Sequence, residues 1–482
     1  MRDRLVLFLN GRRFELPASS AFQPLSDFLR NDRGLTGTKV VCAEGDCGSC
    51  TVLVGRVGPL KLDYKPVCSC IAYLYQLDGA HVVTIEGLTP GNGLHPVQQA
   101  MMTGHASQCG FCTPGFVVTT CAMLEQPSSN VRRALSGNLC RCTGYEAILN
   151  AVDSVKLADV TPVSTLYSDA KLVIDQQSIE ADELLLSYDG RTFYKPVTVA
   201  QAVAFRVTHP GCTIIAGGTD LGVVMNKGLR DPKVLLGTTA VVELNQLTLG
   251  DDVMSVGANV TLSRLETFAE THLPELAKIL WRHGSPLTRN FGTLAGNIAN
   301  GSPIGDTMPA LFVLNASVEL TGPAGVRRVN LNDFYTGYRT SVLRDDELIT
   351  RVLIPLPDAG DVFKLYKISK RHDLDISGFT AAVWMRVNGS TIESSRVALG
   401  GVAATIVRLR DTENLLRGAP FSEQTMLRAG ETASGEIAPL SDVRGSAEYR
   451  TTLARNIFLR LWHDLHPAEP AVAPAQGNGE AH

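Results

Sequence analysis

Long apolar runs are missing from this sequence. No stretch approaches the ~18 apolar residues that a membrane-spanning helix needs, so no spanning segment and no membrane partner are expected. Basic blocks are missing as well. The 44 Lys and Arg stand against 48 Asp and Glu, a net charge of −4, and nucleic acid is not an expected partner. The dinucleotide fingerprint G-x-G-x-x-G occurs nowhere, which argues against a Rossmann cofactor domain. Cysteine is nearly absent outside one region. Of 11 cysteines ten lie between Cys42 and Cys142, and only Cys212 lies beyond them.

A secretory leader is also not indicated. Arg12-Arg13 has the look of a twin-arginine signal, but the apolar stretch Leu5–Leu9 precedes the pair instead of following it. That stretch ends in Asn10-Gly11, a strong hairpin signal, and Arg13-Phe14-Glu15-Leu16 alternates as a return strand. The reading is a hairpin in a cytoplasmic protein, where thiols stay reduced and clustered cysteines signify metal ligation. With 482 residues, 44% hydrophobic and 19% charged, the chain is globular and long enough for three or four domains.

Cys42, Cys47 and Cys50 stand in C-x4-C-x2-C order, the plant-type spacing for a [2Fe–2S] cluster. Gly45, Gly48 and Ser49 let backbone N–H groups approach the sulfurs. A fourth thiolate must come from further on, and Cys68 and Cys70 both offer. The hairpin at 4–16, strand-like Thr51–Val54 and Val82–Ile85, and a helix near 24–31 suggest a small β-grasp sheet. Tetrahedral zinc is the competing reading, but zinc sites favour paired C-x2–4-C knuckles.

A Pro/Gly-rich joint at Thr89–Gly93 leads into a helical pattern that opens at His95-Pro96. Cys109-Gly110-Phe111-Cys112 and Cys140-Arg141-Cys142 follow, as C-x2-C and C-x-C about 30 residues apart. C-x-C strains a single zinc tetrahedron, whereas two thiolates on one iron accommodate it. Cys121, within a helical pattern, and Cys212, before an apolar strand, read as small buried hydrophobes.

The two groups in this order, within Ser107–Gly115 and Gly137–Tyr145, closely resemble the molybdenum hydroxylases, and the flavin region that follows narrows the resemblance to their xanthine dehydrogenase branch. The resemblance implies that the β-grasp cluster lies toward a flavin and the helical-domain cluster toward a molybdopterin. Matching Thr84-Ile85-Glu86-Gly87 to the family's segment places the fourth plant-type ligand at Cys70 and leaves Cys68 spare. Metal ligands are then Cys42, Cys47, Cys50, Cys70, Cys109, Cys112, Cys140 and Cys142. The position of Gln108 touches the pterin in that family, here across a subunit boundary.

Residues 161–190 read as a linker. Beyond it, the strand Thr213–Ile215 breaks into Ala216-Gly217-Gly218-Thr219-Asp220-Leu221-Gly222, a loop whose N–H groups suit a pyrophosphate. A second glycine-rich segment runs from Phe291 to Asp306. Together they resemble the flavin domain of xanthine dehydrogenases. The resemblance implies FAD contacts at Ile214, Ile215, Ala216, Gly217, Gly218, Thr219, Asp220 and Leu221, at Thr293, Leu294, Ala295, Gly296 and Asn297, and at Asp306, Ile349 and Lys367. An aromatic of that family falls at His283, with Trp281 nearby, and neither ring is assigned to the flavin.

The expected fold is α+β and multidomain. It comprises a β-grasp [2Fe–2S] ferredoxin domain (1–88), a four-helix [2Fe–2S] domain (89–160), the linker, an α+β FAD-binding domain (191–362), an α+β C-terminal flavoprotein domain (363–466) and a disordered tail (467–482). The implied function is that of the small subunit of a bacterial xanthine dehydrogenase. It would pass electrons from a molybdopterin-bearing large subunit, which oxidises hypoxanthine and xanthine, through two [2Fe–2S] clusters to FAD and NAD, in a heterotetramer of two small and two large subunits. No catalytic general base is nominated in this chain. The absence of molybdenum domains in a chain that fuses clusters and flavin favours this branch. The alternative is the equivalent subunit of an aldehyde- or N-heterocycle-oxidising enzyme with oxygen or a quinone as acceptor; a redox-inert zinc scaffold is the non-enzymatic one.

Overall fold

The computed structural model describes residues 1–58, 61–89, 91, 93–125 and 130–467; most of the expected tail lies outside them. The first sheet has the strand order β2-β1-β5-β3-β4, from β1 (Leu5–Leu9), β2 (Arg12–Leu16), β3 (Thr51–Val57), β4 (Leu62–Cys68) and β5 (His81–Val83). The Asn10-Gly11 turn closes β1 onto β2 with Leu5 opposite Leu16, both turn residues at positive φ (49° and 80°). All five residues of β1 are buried. Alternation explains it. Leu5, Leu7 and Leu9 enter the core that includes Leu25, Phe28 and Leu29, while Val6 and Phe8 enter the one holding Phe116, Val117 and Val118. An apolar run that short is a strand covered on both faces.

That second cover is the helical region, with helices Pro96–Thr103, Thr113–Leu124, Val131–Ala134 and Glu146–Asp153. His95 caps the first, its side chain accepting from Val97 N, and Pro96 occupies the opening turn as expected. Thr113–Leu124 is buried continuously from Gly115 to Cys121 because β3 lies on one side and other helices on the other.

The expected linker 161–190 is structured. It holds helices Val163–Leu166 and Ala170–Glu180 and then β6 (Leu184–Tyr188). Val163, Leu172 and Ile179 bury against the β-grasp and helical core. Three apolar contacts spread over so many polar residues leave no readable period, and tertiary packing supplies the order. β6 pairs with β7 (Arg191–Lys195), so the next sheet begins before the expected 191. Its order is β6-β7-β9-β8, with β8 (Thr213–Ile215) and β9 (Val234–Gly237) parallel to each other.

A five-stranded sheet follows in the order β10-β11-β16-β12-β13, from β10 (Leu247–Gly250), β11 (Val253–Gly257), β12 (Ser317–Gly322), β13 (Gly325–Asn330) and β16 (Leu348–Pro355), with a small β14–β15 pair (Tyr335–Gly337, Thr340–Ser341). The last sheet joins β17 (Val362–Ile368), β18 (Phe379–Asn388), β19 (Thr391–Gly400) and β20 (Val407–Arg408) in sequence order. Helices Glu423–Gly435 and Ala447–Leu465 pack on it through Met426, Ala429, Ile457, Phe458 and Leu461. Among the described residues no helix is long and apolar enough to cross a membrane.

The β-grasp and flavin-type sheets are joined by charge as well as packing. Buried Asp78 binds Lys195 Nζ at 2.7 Å and an Arg2 guanidinium nitrogen at 2.6 Å, and Arg2 N donates to Glu183 O. Such a buried pair fixes alignment more than it adds stability, because desolvation offsets the attraction.

His81 sits in the same sheet with no exposure. Gly11 N donates to its Nε2, which leaves the proton on Nδ1, 2.5 Å from Tyr64 Oη. Burial pushes this imidazole down from 6.5 to about 3. The unfolded chain therefore takes up a proton below pH 6.5 that the folded chain refuses until about pH 3, so this contribution to stability is present above 6.5 and is lost as pH falls. The expected loss is up to about 1.4 kcal/mol per pH unit across that window. Thermal melts of the native chain and His81→Asn at pH 7 and 5 check it: the native chain should lose more melting temperature over the interval. Equal losses would exclude the role.

Candidate functional site

Residues 39–50 form neither helix nor strand, and Ala43, Gly45 and Gly48 turn the chain at φ of 53°, 74° and 69°. The loop curls its thiols inward. Cys42 lies within hydrogen-bond reach of Cys47 and Cys70, and Cys50 of Cys68 and Cys70. Glu44 N donates to Cys42 Sγ at 3.4 Å, an N–H···S bond of the kind that tunes cluster potentials. Hydrogen bonds from Cys47 and Cys70 pull the Cys42 thiol far below its usual range; the bond to Cys42 and burial push Cys70 far up. Four thiols packed so closely resist becoming four thiolates until a cationic centre compensates them, as the irons of a [2Fe–2S] cluster do. Cys68 donates instead to Gly45 O at 3.4 Å. It also lies within reach of Cys50, whereas Cys70 lies within reach of both Cys42 and Cys50.

The second group shows its own pairing. Cys109 and Cys142 sulfurs are 3.6 Å apart, and Cys112 contacts Cys140. Each pair takes one thiol from each motif, so the expected sharing of one iron by the C-x-C cysteines does not match the geometry. The cause is local. Gly110 and Gly144 at positive φ, and Tyr145 at φ 73°, with its hydroxyl accepting from Cys140 N, bend the two loops face to face. Burial and the Cys140 hydrogen bond push the Cys112 thiol up to about 12. Among the described residues no three His, Cys, Asp or Glu side chains gather as a single ion would require. In the second group the sulfurs come as pairs, Cys109 with Cys142 and Cys112 with Cys140, which suits a two-iron centre.

The two cysteine loops are stitched together by backbone. Leu139 N, next to Cys140, donates to Cys47 O at 3.0 Å, and Asn138 Nδ2 donates to Gly48 O at 3.0 Å. A Cβ added to Gly115 would lie 2.2 Å from Gly48 O.

The glycine-rich segments also meet. Gly217 lies so close to Phe291 that an added Cβ would stand 1.8 Å from its carbonyl oxygen. Gly218 turns at φ 68°, and among the described residues the N–H groups of Gly218, Thr219 and Asp220 have no protein acceptor. N–H groups left without a protein acceptor on a loop after a strand suit a pyrophosphate. Ile214 and Ile215 belong to β8, Ala216 follows it, and Leu221 opens the next helix. In the second segment Thr293 caps the helix Leu294–Asn300, which carries Ala295, Gly296 and Asn297, and Asn297 Oδ1 accepts from Thr307. Ile349 is buried in β16.

Asp306 and Lys367 form a buried pair at 2.7 Å between the second segment and β17. Burial alone would raise the Asp306 carboxyl; the His283 hydrogen bond and the Lys367 charge outweigh it and hold the group at about 2. Ser377 Oγ donates to the other carboxylate oxygen at 2.5 Å. His283 thus turns to Asp306, and Trp281 to Arg133 and His372.

A cleft of about 600 Å³ opens beside these groups. Thr219 and Asp220 line it from the first glycine-rich loop, Glu44 and Asp46 from the cysteine loop, and Lys370 and Arg371 from the C-terminal region. Sequence reasoning missed Ser377 and Asn226, which lie in no motif, and Glu44 and Asp46, which lie between Cys42 and Cys47 at positions the cysteine spacing leaves open. Asn226 Nδ2 donates to Ala43 O at 2.9 Å and to Cys70 O at 2.8 Å.

The comparisons with known proteins follow the same division. Residues 7–75 match the 2Fe-2S iron–sulfur cluster binding domain and 84–153 the [2Fe-2S] binding domain. Residues 186–357 match the FAD binding domain in molybdopterin dehydrogenase, and 364–465 the CO dehydrogenase flavoprotein C-terminal domain. The chain is therefore a multidomain α+β flavoprotein with two [2Fe–2S] domains. It belongs to the molybdenum hydroxylase family and comprises that family's electron-transfer region. It is 31% identical to the xanthine dehydrogenase of Emericella nidulans over 96% of this chain and 39% of that one. Xanthine dehydrogenase 1 of Arabidopsis thaliana is 30% identical over 97% of this chain and 40% of its own. The chain thus spans about 40% of the length of these curated relatives. Among solved structures, reconstituted CO dehydrogenase from Oligotropha carboxidovorans superposes at a TM-score of 0.54 and 30% identity, covering 57% of this chain and 96% of that one. Quinoline 2-oxidoreductase from Pseudomonas putida 86 gives 0.54 and 28%, covering 58% and 97%.

Gly217→Val tests the contact between the glycine-rich segments. The new side chain must push the loops apart, so purified protein should lose most of its flavin while both cluster signals in electron paramagnetic resonance (EPR) persist. Flavin retained at the native stoichiometry would show that the contact does not shape the flavin site.

Proposed function

We propose that this chain is the electron-transfer subunit of a xanthine dehydrogenase. It receives electrons from a separate molybdopterin subunit that oxidises hypoxanthine and xanthine, and delivers them to NAD. Cys109, Cys112, Cys140 and Cys142 hold one [2Fe–2S] cluster, and Cys42, Cys47, Cys50 and Cys70 the other. The segments 214–221 and 293–297, with Asp306, Ile349 and Lys367, hold FAD. Bound there, the clusters supply one-electron transfer and the flavin joins it to two-electron chemistry.

One observation carries the reading: hydrogen bonds link the helical-domain cysteine loops to the plant-type loop, and that loop to the helix after the first glycine-rich loop. Cys109 and Cys142 are exposed at one end, beside exposed Gln108, Phe111 and Tyr145. From Cys140 the backbone bond of Leu139 reaches Cys47, and from Cys70 the Asn226 amide reaches the helix that follows the first glycine-rich loop. The exposed end suits a covering partner subunit, in a heterotetramer of two small and two large subunits in the cytoplasm. Similarity to xanthine dehydrogenases over nearly the whole chain favours purine substrates. The coverage of CO dehydrogenase and quinoline 2-oxidoreductase chains supports the second reading, another molybdenum hydroxylase with oxygen or a quinone as acceptor.

Two experiments test this. Loaded with iron and flavin, the chain should oxidise NADH and pass electrons to ferricyanide, yet leave xanthine untouched, since its four matched domains leave no long stretch unassigned. Turnover of xanthine by the chain alone would overturn the conduit role; inertness to NADH with oxygen or quinone reduction would favour the second reading. In EPR, Cys70→Ser should abolish the plant-type signal and Cys68→Ser should keep it, while Cys140→Ser should remove the other signal with FAD retained. The reverse result for Cys68 and Cys70 would exchange their roles.

A further inference from the structure

Asn226 closes the helix Leu221–Asn226, whose start adjoins the first glycine-rich loop. Its amide makes three bonds at once. Nδ2 donates to Ala43 O at 2.9 Å and to Cys70 O at 2.8 Å, and Oδ1 accepts from Tyr73 Oη at 3.0 Å. The chemistry sets the amide's orientation, since two carbonyls demand the NH2 side and a hydroxyl can satisfy the oxygen. The helix lies directly on the cysteine region, for a Cβ added to Gly222 would come within 2.3 Å of Ile71 O.

The peptide that Asn226 grips has a second end. Its oxygen belongs to Ala43 and its N–H to Glu44, and that N–H donates to Cys42 Sγ at 3.4 Å. One rigid plane therefore has its oxygen held from the flavin side and its hydrogen aimed at a cysteine sulfur. Ala43 is at φ 53°, a conformation that an L residue enters at a cost, so the plane needs an outside hold. Donation to the oxygen also polarises the peptide and strengthens its N–H as a donor.

We propose that Asn226 is a positioning residue for the plant-type cluster: by gripping the Ala43–Glu44 peptide and the Cys70 carbonyl it sets the N–H···S bond to Cys42, and with it the potential at which that cluster accepts an electron. The inference rests on the reading of Cys42, Cys47, Cys50 and Cys70 as cluster ligands. Its sign follows from electrostatics. An N–H aimed at sulfur stabilises the added negative charge of the reduced cluster, and an ungripped carbonyl opposes it. Removing Asn226 lowers the potential.

The test is an EPR-monitored redox titration of the full chain, with clusters and flavin loaded, for the native protein, Asn226→Ala, Asn226→Asp and Tyr73→Phe. Asn226→Ala should shift the plant-type midpoint downward and alter its line shape, leaving the helical-domain midpoint unchanged. Asn226→Asp, which loses both donations and adds a negative charge, should shift it further the same way. Tyr73→Phe leaves the amide in place but frees its oxygen, and should give a smaller downward shift. It also keeps the test decisive if the Asn226 variants fail to assemble the cluster. An unchanged or raised plant-type midpoint in every variant that retains the cluster overturns the proposal. A native chain without a plant-type signal overturns instead the reading on which it rests.

Discussion

The regions of this molecule meet backbone to backbone, and the rest of the arrangement depends on that closeness. Gly115 rests against the Gly48 carbonyl, Gly222 against the Ile71 carbonyl and Gly217 against the Phe291 carbonyl, each with less room than one methyl group requires. Side chains between the domains would act as spacers. Their omission brings cysteine loop to cysteine loop and cysteine loop to glycine-rich loop, and electron transfer weakens steeply with distance. The contacts are rigid for the same reason, since a peptide plane has fewer ways to yield than a long side chain.

Such contacts need alignment from elsewhere. The Asp78–Lys195–Arg2 group ties the β-grasp sheet to the sheet that carries β8, and the Asp306–Lys367 pair with Ser377 ties the second glycine-rich segment to the C-terminal region. Each is a buried carboxylate with at least one partner on another domain, Lys195 for Asp78 and Lys367 and Ser377 for Asp306. Such groups add little net stability, but loss of one partner leaves an uncompensated buried charge, at a cost of about 3–5 kcal/mol. They penalise misalignment, and that is what close contacts require.

Much of this was legible in the sequence because covalent spacing carried it. C-x4-C-x2-C, C-x2-C and C-x-C announce thiolate sites, and Asn10-Gly11 announces the first turn. The β-grasp and helical regions follow from such local signals, and the flavin and C-terminal regions from the family resemblance that the later segments carry. What was not legible depends on partners remote in sequence. Cys142 pairs with Cys109 rather than Cys140 because two bends bring the loops face to face. Residues 161–190 fold because a distant sheet receives Val163, Leu172 and Ile179. Asn226 has no motif at all, and its role lies in two carbonyls about 156 and 183 positions away along the chain.

The cleft shows the same logic at the site itself. Its walls come from three modules: Glu44 and Asp46, then Thr219 and Asp220, then Lys370 and Arg371. No module encloses it alone, so its shape exists only when the domains are docked. Its charges are mixed, acidic on the cysteine loop and of both signs on the loop after β17, where Lys370 and Arg371 stand with Asp375. A shift of the cysteine loop therefore moves Glu44 and Asp46 relative to Lys370 and Arg371, changing the cleft as well as the thiols. Cluster surroundings and cleft electrostatics are two readings of one loop position, and the Asn226 amide and the Lys227–Glu44 ion pair at 3.0 Å hold that position.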